Sequence, residues 1–351
     1  MPTGKQKRSR AGLIAALVLA VLLAGGFAVY QHLQRPVDPD GGEVVFEVPE
    51  GAGPGEVIRR LKQQGLIRNE AAAKLWYRLN GQPVLYAGRY HLSASQSLPQ
   101  IFAVLSDESQ IILDTVTVTI VPGDWAKDVA AKLAEATNLN AGDIMTRWND
   151  MAYMEELMGR YPFLTEEIFA SEHCYLEGYL APDTYTFYTE TTIEEATEKI
   201  LDQSLVLYQQ LSAAIAESSL SIHQLYTLAS IVQYEAATAE DMGLVSGVLY
   251  NRLNDGWVLG CSATVCYALY DDFHDWTDCE SNPDLDSPYN TYRYRGLPVG
   301  PVCNPSATAL NAALHPTEND YYYFMADVAT GKIYYARTYA EHEQNIAEHG
   351  S

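Results

Sequence analysis

The chain has 351 residues, 48% of them hydrophobic, with 45 Asp+Glu against 22 Lys+Arg and a formal net charge of −23. That length and apolar content suffice for a sizeable buried core and exclude a disordered chain. Such acidity repels nucleic acid and anionic lipid headgroups, which sets aside a nucleic-acid-binding role; beyond solubility it identifies no substrate.

The first thirty residues differ from the rest. A basic tail, residues 1–10, carries Lys5, Lys7, Arg8 and Arg10, and an uncharged stretch runs from Ala11 to Tyr30. As a helix rising about 1.5 Å per residue, residues 11–30 would extend about 30 Å, the thickness of one bilayer core. Basic residues before the stretch and few just after it put the N-terminus in the cytoplasm and the remainder outside, in a single-pass cell-membrane protein. A cleaved signal peptide is the alternative. The run is longer than a usual signal core and passes Gly25, Gly26 and Phe27 without a clear small-x-small cleavage site, so a retained anchor is expected. No cysteine follows Leu23-Ala24-Gly25, which argues against a lipoprotein. Without the tail, the exported part holds 18 Lys+Arg against 45 Asp+Glu, a net −27.

Residues 31–43, with Arg35-Pro36, Asp38-Pro39-Asp40 and Gly41-Gly42, read as a linker that lets the exported part stand off the bilayer. Residues 44–112 form a first module. Val44–Val48 is a strand, Pro49–Gly55 a turn, and Val57, Ile58 and Leu61 the apolar face of a short helix. A helix from Asn69 carries Ala72, Leu75, Trp76 and Leu79, Tyr86–Tyr90 is a returning strand, and Leu98, Ile101, Phe102 and Leu105 mark another helix. Residues 113–165 repeat the opening: Val118–Gly123 precedes Val129 and Leu133 as Val48-Pro49 precedes Val57 and Leu61, offset by 73 and then 72 residues. Strand, turn and short helix in so few residues fits a carbohydrate-binding module of the LysM kind, and equally a spacer subdomain.

Chemistry is expected in residues 166–349. Leu225, Leu228, Ile231 and Val232 recur at helical spacing, and Glu235 lies four residues after Ile231 and seven after Leu228. It therefore projects from the apolar face, where desolvation raises a carboxyl pKa towards what a general acid needs. The alternative is a buried structural acid paired with Arg252. Thr238-Ala239-Glu240-Asp241 caps a second helix bearing Leu244, Val245, Val248, Leu249 and Leu253, which stops near Gly256. Ser287–Tyr292 and Gly296–Pro301 are dense in turn formers, with aromatic and amide side chains between them, a mixture suited to sugar rings and their edges. Asn290 and the tyrosines are the ligand candidates there. Tyr321–Asp327 and Lys332–Ala336 read as a hairpin with mostly buried aromatics, and His342 as a structural histidine. Cys174, Cys261, Cys266, Cys279 and Cys303 suggest two disulfides with Cys174 left over; a zinc site using His274 is disfavoured because no familiar spacing is present.

These residues resemble the MltG/YceG-like endolytic murein transglycosylases, from the basic tail through nearly the whole exported chain. The most specific pieces are Leu176–Tyr185, Leu228–Glu235, Val248–Leu253, Tyr289–Tyr292, Gly296–Pro301 and Asn304-Pro305. The resemblance implies an α+β chain with a LysM-like module near the membrane and a larger α+β catalytic domain. It also implies Glu235 as the catalytic residue and Asn251, Arg252, Ser262, Thr264, Tyr289, Asn290, Thr291, Tyr292, Glu177 and Asp183 as substrate-binding positions. Family members often carry Glu-x-Glu; here Gln233 stands at the first position, leaving Glu235 alone. A Thr-Asp-Pro-Thr-like turn is replaced by Cys261-Ser262-Ala263-Thr264-Val265-Cys266, with a disulfide as a conceivable brace.

The implied substrate is peptidoglycan glycan, with no cofactor or metal and with peptidoglycan synthases as partners. Glu235 would protonate the bridge oxygen between N-acetylmuramic acid and N-acetylglucosamine, then act as base towards the 6-hydroxyl to form a 1,6-anhydro ring. Two rivals stand beside this: a muramidase-type hydrolase using Glu235 with Glu177, Asp183 or Asp286 as second acid, and an inactive membrane-tethered glycan-binding scaffold.

Overall fold

A computed structural model describes residues 5–112, 114–327 and 330–350; residues 1–4 of the expected tail lie outside the described residues. Helix α1 spans Lys5–Leu33, so it takes in the basic residues as well as the apolar run. Within it, Ala16–Leu33 is long and apolar enough to cross a membrane by length and composition. The chain then divides into two compact units, meeting at Leu113 and Asp114, and its structure is α+β.

In the first unit β1 (Glu43–Val48) is followed by α2 (Pro54–Gln63), α3 (Glu70–Leu79), β2 (Gly88–Ser93) and α4 (Leu98–Leu105). Strands β1 and β2 pair antiparallel with Phe46 opposite Tyr90. Pro54 opens α2, where a missing N–H costs nothing, and the Asn69 side chain caps α3 by accepting from the Ala72 N–H at 2.9 Å. The core joins Phe46, Ile58, Leu61, Tyr90, Leu92 and Phe102. Leu75 and Leu79, expected on the buried face of α3, are instead exposed, because Ala72 and Ala73 form the contact face. The returning strand begins two residues later than expected. Residues 34–41 are stitched down rather than loose: Arg68 donates to the carbonyls of Arg35, Pro36 and Val37, Leu98 N–H to that of Gln34, and Ser93 Oγ to that of Gly41.

The second unit opens on β3 (Thr115–Thr119), followed by α5 (Ala126–Ala136), α6 (Ala141–Trp148), α7 (Met151–Met158) and β4 (Thr184–Tyr188). Strand β4 pairs antiparallel with β3, Tyr185 opposite Val118. The strand–helix–strand plan of the first unit is thus repeated. Its return strand, however, lies beyond the boundary expected at residue 165, and α5 shares one core with α9 (Ile222–Glu235), so residues 114–165 fold as part of the larger unit.

Between β4 and the C-terminal hairpin lie α8 (Ile193–Glu217), α9, α10 (Ala239–Asn254), α11 (Ser262–Leu269), α12 (Trp276–Ser281) and α13 (Ala307–Leu314). Strands β5 (Tyr323–Ala326) and β6 (Ile333–Ala336) make the expected hairpin, and α14 (Tyr339–His349) closes the unit. The hairpin aromatics Tyr323, Phe324, Tyr334 and Tyr335 are only half-buried. One disulfide forms, Cys266–Cys279, while Cys174, Cys261 and Cys303 are buried thiols, so the expected second bridge is absent.

Gly178 is a sharp backbone constraint in the second unit. Its φ is +87°, and a Cβ there would meet Pro301 Cβ at 2.4 Å, a ring that cannot swing aside. Strain of about 1–3 kcal/mol plus this clash predicts that Gly178→Ala lowers the melting temperature by roughly 5 °C or more, measured by calorimetry; an unchanged melting temperature would contradict the packing.

Candidate active site

Helix α9 carries the central group. A capping box starts it: Ser221 Oγ accepts from Gln224 N–H at 3.2 Å, and Gln224 Oε1 accepts from Ser221 N–H at 3.0 Å. Every residue from Leu225 to Val232 is buried, so this helix is wrapped on all sides. Its neighbours are fastened to it by polar bonds. His223 Nε2 is 2.8 Å from the Val299 carbonyl, Val302 N–H donates to Ser230 Oγ at 2.9 Å, and Ser306 N–H donates to Gln233 Oε1 at 3.0 Å. Gln233 therefore holds the start of α13, a task for which an amide oxygen serves as well as a carboxylate.

Glu235 is the last residue of α9, half-buried, and the chain turns to extended backbone at Ala236. Desolvation pushes its carboxyl up to about 7, against the opposing pulls of the Cys261 thiol and the Arg252 charge. The carbonyl end of the helix repels negative charge and acts in the same direction as the desolvation. Neither group acting on Glu235 is a second acid.

Arg252, in the last turn of α10, is not the ion-pair partner that a purely structural glutamate would have. Its Nε donates to the Tyr322 carbonyl at 2.7 Å and its Nη1 to the Leu259 carbonyl; among the described residues no ion pair joins it to Glu235. Cys261 sits at the start of α11 and is almost fully buried. Its N–H donates to Thr291 Oγ1 at 3.0 Å, and its carbonyl accepts from Thr264 Oγ1 at 2.7 Å. Those two threonine hydroxyls lie 2.9 Å apart. Instead of bracing the 261–266 loop as a disulfide, Cys261 remains a thiol facing the carboxyl, a contact that sequence spacing could not have revealed.

The expected substrate-binding residues separate by depth. Tyr292 is exposed and Ser262 half-buried, near Glu235 through Gly260 and Cys261. Thr264 and Thr291 lie behind Cys261. Asn290 is fully buried with its side chain already used: Nδ2 donates to the Pro283 and Leu285 carbonyls at 2.8 Å each, and Oδ1 accepts from Tyr292 N–H at 2.9 Å. Tyr289 is likewise buried, against Tyr267, so these two line no open groove. Asn251 Nδ2 donates to the Asn319 and Tyr321 carbonyls at 3.0 Å each. Asp183 is exposed and accepts from the Thr184 N–H at 2.7 Å. Glu177 has no exposed surface. Its carboxyl caps α5 by accepting from Ala126 N–H at 3.0 and 3.1 Å, and it also accepts from Tyr267 Oη at 3.1 Å and Asn304 Nδ2 at 3.5 Å. A cavity of about 360 Å³ is lined by Trp125, Lys127, Asp128, Tyr234, Cys266 and Phe273.

A desolvated carboxyl at a helix end, framed by a thiol and an arginine within an α+β unit, is an arrangement that suits proton transfer by a single carboxyl. The model of the YceG-like family matches residues 46–348, and the chain belongs to that family. It is 32% identical to the endolytic murein transglycosylase of Streptococcus pneumoniae (strain ATCC BAA-255 / R6), an alignment covering 97% of this chain and 65% of the relative. The chain thus spans just under two thirds of that protein's length. It is 29% identical to the endolytic murein transglycosylase of Bacillus subtilis (strain 168), covering 92% of this chain and 90% of the relative. A crystal structure of a YceG-like protein from Listeria monocytogenes superposes with a TM-score of 0.60 at 28% identity, covering 87% of this chain and 99% of that one.

The buried Glu177 gives the unit a measurable signature. Burial pushes its carboxyl from 4.5 up to about 8, although the Ala126 amide and the Tyr267 hydroxyl pull it down. Between those pH values the folded carboxyl holds a proton that the unfolded one has lost, so stability falls as pH rises. Glu177→Gln is expected to remove about 1.4 kcal/mol per pH unit from this slope, read from denaturant unfolding at pH 5 to 8. An identical slope in the variant would show the group ionised in the fold.

Proposed function

We propose that this protein is a membrane-anchored endolytic lytic transglycosylase that cleaves the N-acetylmuramic acid–N-acetylglucosamine β-1,4 bond of peptidoglycan strands, leaving 1,6-anhydro ends. The observation that carries this reading is the placement of Glu235 at the end of buried helix α9, where desolvation pushes its carboxyl up to about 7 and the groups acting on it are the Cys261 thiol and Arg252, neither of them an acid pair for hydrolysis. In the proton-loaded form it donates to the bridge oxygen as the anomeric carbon gains positive charge. Once ionised, it accepts the proton of the sugar's own 6-hydroxyl, which attacks the anomeric carbon and closes the anhydro ring. Arg252 and the Cys261 thiol stabilise the carboxylate between these steps. Because the nucleophile is part of the substrate, no water need be activated, and one carboxyl serves both roles.

Hydrolysis would need a base to activate water, and the three acids weighed for that task are poorly suited. Glu177 is sealed inside the fold with its oxygens occupied, Asp183 accepts from its neighbour's backbone, and Asp286 is exposed and held by Tyr294 and Arg293. Within the same proposal, exposed Tyr292 and half-buried Ser262 contact glycan, while Asn251, Asn290, Thr264 and Thr291 hold the loops behind them. The first unit, two antiparallel strands enclosing two helices, is assigned as a LysM-like module. Helix α1 is assigned as a single-pass anchor with its basic end cytoplasmic, which puts the second unit outside the cell membrane, beside the synthases that extrude new strands.

The decisive measurement is mass spectrometry of digested peptidoglycan. Wild type is expected to release fragments with anhydro ends, and Glu235→Gln to lose about 10²–10⁴-fold in rate. Reducing ends in their place would mean hydrolysis and overturn the transglycosylase reading; unchanged glycan with both proteins would favour a scaffold. Because the acid must begin protonated, the rate is expected to fall as pH rises past about 7. A wild-type profile still flat at pH 9 would remove Glu235 from the role of acid.

A further inference from the structure

The cavity of about 360 Å³ takes no part in the proton transfer at Glu235, yet its size lies within the range of small-ligand pockets. Its lining comes from three parts of the second unit: Trp125, Lys127 and Asp128 at the start of α5, Tyr234 at the end of α9, and Cys266 and Phe273 in α11 and the loop after it. Tyr234 immediately precedes Glu235, and its hydroxyl donates to the Gly123 carbonyl at 2.8 Å. The turn before α5 is thereby fastened to the helix that bears the acid. The Cys266–Cys279 disulfide closes the loop that carries Phe273.

The walls are pre-formed. Trp125 stacks on Tyr270 with centroids 5.5 Å apart, Tyr270 stacks on His173 at 4.1 Å, and Tyr267 stands edge-on to all three rings. Phe273 leans on Trp125 at 5.4 Å. Over these faces Lys127 holds its ammonium, 4.7 Å from the Trp125 centroid and 4.2 Å from that of Tyr270, while Nζ donates to the Tyr270 carbonyl at 2.6 Å. That carbonyl takes one ammonium hydrogen and leaves others for a ligand. Acidic residues outnumber basic ones 45 to 22 in this chain, so a lysine has no shortage of partners. The ion pairs of the second unit take up Lys132, Arg147, Arg160, Arg293 and Arg337, and among the described residues none includes Lys127.

We propose that this cavity binds a short peptide ending in a carboxylate, with Lys127 as the counter-ion, Asp128 accepting peptide N–H groups and the Trp125 and Phe273 rings packing on aliphatic side chains. A plain sugar ring brings hydroxyls and no charge, and would leave the ammonium without an anion. Asp128 already accepts from the Trp125 N–H at 3.0 Å, so it is turned towards amide donors. Cation, acceptor and apolar faces around one space are together the complement of a peptide end. On the reading of the protein as glycan-cleaving, on which this identification rests, the peptide is the arm that N-acetylmuramic acid carries on its lactyl group. Consecutive Cα atoms are about 3.8 Å apart, so a strand held at Glu235 and an arm held beside Tyr234 can belong to one substrate. The cavity then makes the protein selective for strands that still bear their peptides.

The test uses the full chain in detergent micelles, with Glu235→Gln to prevent cleavage, and isothermal titration calorimetry. The probes are an N-acetylglucosamine–N-acetylmuramic acid disaccharide bearing a tripeptide, the same disaccharide capped as its simple lactyl amide, and the free tripeptide. The peptide-bearing disaccharide is expected to bind about ten-fold more tightly than the capped one. Lys127→Met should remove most of that advantage and Lys127→Arg should keep it; converting the tripeptide carboxylates to amides should have the effect of Lys127→Met in the unaltered cavity. Equal affinity for the two disaccharides, or an advantage that survives both Lys127→Met and amidation, would overturn the peptide site. The free tripeptide should bind by itself and weaken with Lys127→Met, so failure of wild type to cleave peptidoglycan would count against the proposed activity and not against the cavity.

Discussion

The constraint on which this structure turns is the expense of holding a carboxyl at the carbonyl end of a helix that is wrapped in apolar side chains. A charged glutamate at that position faces missing water and an opposing dipole together. The fold does not relieve the expense with an ion pair. Arg252 is near enough to be felt, yet it spends its donors on two backbone carbonyls, and a weak thiol donor is the direct neighbour. An acid kept neutral in this way stores a proton at the surface of the core. Glu177 is raised by burial as well and differs in its partners: its carboxyl is surrounded by donors, capping α5 and tying α11 and Asn304 to the same point, and it acts as a fastener between segments far apart in sequence.

Much of this arrangement was legible in the residues. The capping patterns at Ser221 and Thr238, the apolar spacing through Leu228 and Ile231 and the phase of Glu235 are local properties, set within one or two helical turns, and local properties can be read from spacing. The strand–turn–helix opening at residues 118–133 was visible for the same reason. Its partner strand was not, because β4 lies 65 residues downstream of β3 and pairing at that range leaves no period to read. Leu75 and Leu79 misled because helical spacing reports a face without reporting whether anything packs on it.

The site itself was harder to foresee than the helix that bears it. Asn290 and Tyr289 have the chemistry of sugar ligands, yet a loop dense in turn formers also needs internal donors and acceptors, and here the fold has consumed the Asn290 amide and buried the Tyr289 ring. Cys261 was weighed as half of a disulfide and, less favoured, as a zinc ligand, and nothing in its spacing favours a thiol against a glutamate 26 residues earlier.

The bonds from Arg68, Leu98 and Ser93 onto residues 34–41 carry a mechanical consequence. A segment dense in proline and glycine reads as a tether, but one whose carbonyls are gripped this way transmits torque. Any tilt of α1 passes directly into the strand pair behind it, so the first unit inherits the attitude of the helix like a flag on its staff. With α1 crossing a bilayer, as proposed, lipid thickness would set that tilt and so govern how the first unit is presented.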